Sequence, residues 1–225
     1  MAITLNHIVY DIMGIATSGS LPDEFRITTD QVEFWVEEAR AILIAQSLNK
    51  RDDINDSWIQ YIGCVELAQV DKSECCSIAS GCYLLKSTLQ IPSTIDTWRD
   101  NNIVSVTTID GNIIPKSNVF KSKYQKYNKY TSNDKSWYIK NNYLYITNDQ
   151  ILESVNVAGL FEHPMDLSNF VNCAGEQCFT RDTDYPVSAS IASQITDMVI
   201  KTKVLPFMQF PSDNKNDSSN IIQKQ

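Results

Sequence analysis

In Trp58-Ile59-Gln60-Tyr61-Ile62-Gly63-Cys64-Val65 the hydrophobic pattern of the chain stops being helical. These eight positions are crowded with β-branched and aromatic residues and short of helix formers, so a β region opens at Trp58. Upstream the spacing is helical. Leu5, Ile8, Val9, Ile12 and Met13 form one apolar stripe over Leu5–Ile15, and residues 14–22 carry the glycines, serines and proline of a turn. In Ile27-Thr28-Thr29-Asp30-Gln31-Val32, Thr28 can cap the first amides while Gln31 reaches back, and Ile27 can staple onto Val32. The helix that starts there is expected to bury Val32, Trp35, Val36, Ala39, Ile42 and Leu43. Glu33, Glu37 and Arg40 are expected on its wetter face, and the pattern fades by Lys50.

Downstream the β pattern continues. Tyr83–Ile91 is a second strand candidate, and Val104–Ile109 meets Asn112–Ile114 across Asp110-Gly111, a pair that suits a type I′ hairpin. Trp137–Ile139 and Tyr143–Ile146 form another hairpin around Lys140-Asn141-Asn142, and Ser154–Phe161 is expected to add an outer strand. After His163-Pro164 the spacing is helical again, weakly in Met165–Val171 and clearly from Pro186, where Ile191, Ile195, Met198, Thr202 and Leu205 share a face. Pro186 suits the first turn of that helix, Asp182 and Asp184 its capping, Lys201 and Lys203 its C-terminal end, and Pro206 its stop. The expectation is an α+β fold: a helical bundle from residues 1–54 and 164–210, an inserted antiparallel sheet or sandwich in 55–163, and a flexible tail in 211–225.

Composition narrows function. With 43% hydrophobic residues over 225 positions the chain can bury a core, so it folds. A net charge of −8 opposes general binding to phosphate backbones, which draws its free energy from lysine and arginine. No basic leader precedes an apolar run and no stretch reaches the roughly 20 apolar residues of a membrane span, so a cytoplasmic product without membrane contact is expected. In that reducing compartment the six cysteines, which contain no CxxC, read as free buried thiols.

Chemistry leaves few marks. The sequence has no GxxxxGK[ST], no GxGxxG and no HExxH, and its seven glycines are scattered singly. His7 and His163 read as a satisfied or surface side chain and as loop punctuation, and no thiol signature joins His163 to Cys173 or Cys178. Asp52, Asp53 and Asp56 lack the spacing of a calcium loop. No catalytic, cofactor or metal residue is assigned, and the chain is expected not to be an enzyme. The exception to the acidic background is Lys121-Ser122-Lys123-Tyr124-Gln125-Lys126-Tyr127-Asn128-Lys129-Tyr130. On a helix, Lys123, Lys126 and Lys129 would line one stripe and Tyr124, Tyr127 and Tyr130 the next. That stretch reads either as a solvated connection whose tyrosines cover the sheet, or as a docking surface for an acidic protein or for nucleic acid. Phe207 and Phe210 are the remaining contact candidates.

Two segments carry a resemblance. Thr28-Thr29-Asp30-Gln31-Val32-Glu33-Phe34-Trp35-Val36-Glu37-Glu38-Ala39-Arg40, and Asp184-Tyr185-Pro186-Val187-Ser188 running into Ile191–Lys201, resemble connector and head-completion proteins of crAss-like tailed bacteriophages. The helix, β insertion, helix plan is similar to the tail-adaptor rings of short-tailed phages. The resemblance implies a virion ring of twelve copies, stacked below the portal protein in the neck or tail and touching adjacent ring or tail proteins. Genomic DNA would pass through its lumen without sequence-specific binding. An acidic lining would let DNA slide, and a tail from Ser212 to Gln225 could order on a partner. Two other readings follow from the same residues: an assembly chaperone, found in infected cells and not in particles, and a cysteine-dependent hydrolase.

Overall fold

The fold is that of a computed structural model, which describes residues 3–17, 27–50, 53–70, 84–97, 102–125, 127, 129–130, 132–149 and 151–208, with the side chains of 123–125 and 207–208 outside the description. Helix α1 spans Leu5–Ala16 and is capped by Thr4, whose Oγ1 accepts from the His7 amide. Helix α2 spans Thr29–Lys50 and opens on the expected reciprocal box. The Gln31 amide donates to Thr28 Oγ1 at 3.3 Å, and the Thr28 amide donates to Gln31 Oε1 at 3.1 Å.

Among the described residues seven strands follow, their ladders all antiparallel. They are β1 (Gln60–Gln69), β2 (Leu84–Ser87), β3 (Ile103–Thr108), β4 (Ile113–Ile114), β5 (Ser136–Lys140), β6 (Tyr143–Thr147) and β7 (Ser154–Gly159). Their order is β4-β3-β7-β1-β2-β6-β5. The two edges come back together. The Trp137 amide of β5 donates to the Pro115 carbonyl just after β4, and the Ser117 amide donates to the Trp137 carbonyl at 2.7 Å, so the sheet is a nearly closed barrel. β1 can serve both halves because it bends. A register shift between Ile62 and Val65 brings Cys64 to φ 49°, and there its amide donates to Asn156 Oδ1. Gly63 has the Cβ of Asn172 within 3.3 Å of where its own would stand, so a side chain would press on that neighbour.

Several expectations are corrected. The segment from Ser154 is not an outer strand: β7 is paired on both sides, with β1 and β3. The Asp110-Gly111 hairpin is not a two-residue type I′ turn. Thr108 donates to the Asn112 carbonyl across three residues, and only Gly111 has a positive φ, 86°. The two-residue turn with both φ positive is Asn141-Asn142, at 53° and 62°, because Asn tolerates the left-handed region. Met165–Val171 is a 3-10 turn over Pro164–Asn169, and Tyr83 lies outside the described residues.

The closing helix α4 spans Ala189–Val199, with Ser188 at its cap, so neither Pro186, Asp182 nor Asp184 starts it. It runs into a π-helical turn, Ile200–Val204, and then a short helix, α5, over Leu205–Met208, so Pro206 does not stop it. In the π turn the Leu205 amide donates to the Ile200 carbonyl. The buried face runs Ile191, Ile195 and Val199 with Met198 half-buried beside it, and the wider turn then adds a residue, so Val204 is buried where Thr202 and Leu205 were expected. Helix α2 packs against both α1 and α4, which also touch each other. One core joins these helices to the barrel, with Leu5, Ile44, Ile62, Leu144, Phe161 and Ile195 fully buried.

Candidate functional site

Two polar regions stand out, one buried and one exposed. The buried one lies on the face of α2 that the sequence marks as wet. Arg40 is fully buried. Its Nε donates to the Pro186 carbonyl at 3.1 Å and its Nη1 to the Phe161 carbonyl at 2.7 Å. Its Nη2 donates to the Trp58 carbonyl at 3.3 Å and to Gln60 Oε1 at 3.4 Å. One turn earlier, Glu37 Oε1 accepts from the Met165 amide at 3.0 Å and its Oε2 lies 3.1 Å from His163 Nδ1. Glu33 pairs with Arg181 at 2.8 Å. Burial pushes the Glu37 carboxyl above its ordinary range and lowers the Arg40 guanidinium. Tyr185, under Arg40, is raised by the same desolvation. Every partner comes from a segment at the barrel mouth or the entry to α4, so this row fastens helix to barrel.

The exposed region surrounds the seam where β5 meets the chain after β4. Helix α3, Val119–Gln125, packs on β5. Val119, Tyr143 and Leu84 adjoin a small apolar cluster of Val70, Tyr138 and Tyr145 outside the barrel, where the two tyrosine rings stack at 5.2 Å. The opposite surface of this corner faces water. Phe120, Tyr127 and Tyr130 are 73%, 75% and 86% exposed, so Tyr127 and Tyr130 do not cover the sheet. Lys116, Lys121, Lys129 and Lys140 in the same stretch are also exposed, with Lys116 5.5 Å from the Trp137 ring and Lys129 5.4 Å from that of Tyr130. Lys135 is turned inward onto the buried Asp149 at 2.5 Å. Burial raises that carboxyl, but Lys135 and the Ile151 amide outweigh it and leave it low.

The structure thus leaves Tyr127, Lys129 and Tyr130 exposed, with Lys129 against the Tyr130 ring. It does not put the stretch on one helix: α3 ends at Gln125, and residues 127 and 129–130 are turns, so no continuous stripe forms. Lys123 and Tyr124 lie on α3 with side chains outside the description, and Lys126 and Phe210 lie outside the described residues. Phe207 is in α5, its side chain likewise undescribed.

The sequence reading missed how concentrated this charge is. Residues 116–140 hold seven of the 19 Lys and Arg and one of the 27 Asp and Glu, leaving 12 basic against 26 acidic residues elsewhere. A running charge count would have found it.

The cysteines are also corrected. Cys64 and Cys173 form a disulfide with Cα atoms 5.3 Å apart, joining the bend of β1 to the 170–178 hairpin. Cys178 is free and half-buried, and Cys75, Cys76 and Cys82 lie outside the described residues. His163 therefore faces a carboxylate and the Phe34 ring, 5.8 Å away, and Cys173 is bonded elsewhere. Among the described residues no three His, Cys, Asp or Glu side chains group as metal ligands, and no described helix is long and apolar enough to cross a membrane.

A family described as Phage tail ring protein 2 (CrAss ring 2) matches residues 7–223, nearly the whole chain. No curated protein matches it significantly.

Proposed function

We infer the function of this chain from its family: it belongs to the crAss-like phage tail ring protein 2 family, and is therefore a structural protein of the virion tail that assembles with copies of itself. The finer reading is our proposal. The subunit closes a ring, of twelve copies, in the portal-proximal neck or tail, where it connects the portal protein to the next ring or tail protein and frames part of the channel through which DNA is ejected. It is synthesised in the host cytoplasm and performs no catalysis. Residues 1–54 and 164–210 act as a helical core, 55–163 as a β module packed against it, and 211–225 as a tail that orders on a partner.

The observation that carries this reading is the family match over residues 7–223. The acidic balance supports it, since a like-charged lumen lets DNA slide without sticking. Within the subunit the exposed Lys121, Tyr127, Lys129 and Tyr130 near the barrel seam are the docking surface, and the sequence neighbours Lys123, Tyr124 and Lys126, with Phe207 and Phe210, are the further contacts. Aromatic anchors beside cations are the composition that interface cores favour. Mass spectrometry of purified virions, together with a cryo-electron-microscopy map of the neck, tests the reading. The expected result is a ring of this chain next to the portal; absence of the chain from particles would end the proposal.

A further inference from the structure

Opposite the basic seam lies an acidic groove. In the strand order β1 has three strands on either side, and the two edges meet at the β4–β5 seam, so β1 stands across the barrel from that seam. Beside the start of β1 a groove of about 590 Å³ opens between the 56–61 and 183–189 segments. Its apolar lining includes Tyr61, Leu167, Phe179 and Val187, and Asp56 and Asp184 stand at it as exposed carboxylates. The lining segments and the chain that flanks them, residues 53–61 and 166–187, carry six exposed carboxylates; Asp56 and Asp184 line the groove, while Asp53, Asp166, Glu176 and Asp182 lie beyond it, Asp166 at a separate pocket. The one Lys or Arg in these segments is Arg181, already paired with Glu33. Two buried polar atoms of the lining residues, Gln60 Nε2 and the Tyr185 hydroxyl, have no hydrogen-bond partner among the described residues.

We propose that this groove receives the basic and aromatic seam of a second copy of the chain, so that successive subunits join head to tail. The proposal rests on the ring reading above and names the surface that meets the seam. A closed ring built from one kind of subunit needs two different, complementary faces on each copy. The seam and the groove satisfy both conditions: they lie on opposite sides of the barrel and carry opposite charge. Phe120, Tyr127 and Tyr130 of one copy supply aromatic anchors for an apolar groove. Lys121, Lys129 and Lys140 meet the carboxylates at its rim, where charge fixes register and partner choice.

A charge swap tests it on the full-length chain. One variant combines Lys121→Glu with Lys129→Glu; the other combines Asp56→Lys with Asp184→Lys. Circular dichroism and melting confirm that each stays folded, and sedimentation and negative-stain microscopy read assembly. Each variant alone should associate more than about tenfold more weakly than wild type, because like charges then face each other. Mixed in equal amounts, they should assemble again in alternating order, since each restores the other's complement. Zero-length cross-links in the wild-type ring should join Lys121 or Lys129 of one copy to Asp56 or Asp184 of the next.

If only the seam variant fails while the groove variant assembles normally, the groove proposal is wrong and the seam keeps its docking role. If both assemble like wild type, or wild type stays monomeric throughout, both readings of these surfaces fall. A mixture that stays apart overturns the pairing. So do cross-links to the groove from Lys215 or Lys224, which would mark the C-terminal residues as its occupant, and so does a seam variant that loses only DNA retention.

Discussion

Arg40 on α2 and the lysines around the barrel seam carry the same unit charge in opposite surroundings. Arg40 has no exposed surface and spends its donors on three carbonyls and one amide oxygen from three separate segments. Lys121, Lys129 and Lys140 are exposed, Lys129 beside the exposed Tyr130 ring. Taking a cation out of water costs several kcal/mol, which only a full set of partners offsets. A planar guanidinium can supply that set, whereas a lysine ammonium is a point charge on a flexible stem. The comparison teaches that charge in this protein has two separate jobs: inside, it fastens helices to the barrel and serves folding; outside, it remains available to another chain. Perturbing each region should therefore separate stability from assembly.

The largest effect is expected from Arg40→Ala. It leaves the Phe161, Pro186 and Trp58 carbonyls and Gln60 Oε1 without this donor inside the core, and should cost about 3–5 kcal/mol in denaturant unfolding. A loss under about 1 kcal/mol would break the comparison at its buried end. Arg181→Ala is next. It strips the partner from a mostly buried Glu33, and should cost about 1 kcal/mol by the same measurement.

Glu37→Gln sharpens the comparison through pH. Burial holds the folded carboxyl above its ordinary value, so between the two values the folded state binds more protons than the unfolded one. Wild-type stability should therefore rise relative to Glu37→Gln as pH falls from neutrality through that raised value, and fall as pH increases. Parallel melting curves for the two proteins across that range would remove the argument. The smallest effect on folding is expected from Lys121→Glu with Lys129→Glu, within about 0.5 kcal/mol, because these side chains are exposed. The same variant should weaken self-association most. Equal losses of stability and assembly would merge the two roles.

The buried end of this comparison was hidden in the sequence for a definite reason. Glu33, Glu37 and Arg40 fall one turn or so apart and read as a solvent face, since nothing within α2 can satisfy them. Their partners stand 121 to 148 residues away, at Phe161, His163, Met165, Arg181 and Pro186. The exposed end was legible in part. Alternating lysine and tyrosine flagged the seam, but the end of α3 at Gln125 and the acidic groove across the barrel were not visible in local spacing.

The sequence by itself determined what depends on neighbours a few positions apart. The box of Thr28 and Gln31 starts α2, the stripe from Leu5 builds α1, and Asn141-Asn142 turns β5 into β6. The shift from helical to strand patterning at Trp58 marks the change of architecture. Tertiary structure decided the central place of β7, the near-closure of the sheet at Trp137, the disulfide of Cys64 with Cys173, and which charges are buried. These are pairings between distant segments, and their free energy comes from desolvating groups that meet only when the barrel closes. Local pattern records the propensity of each segment; it does not record which distant segment will satisfy it.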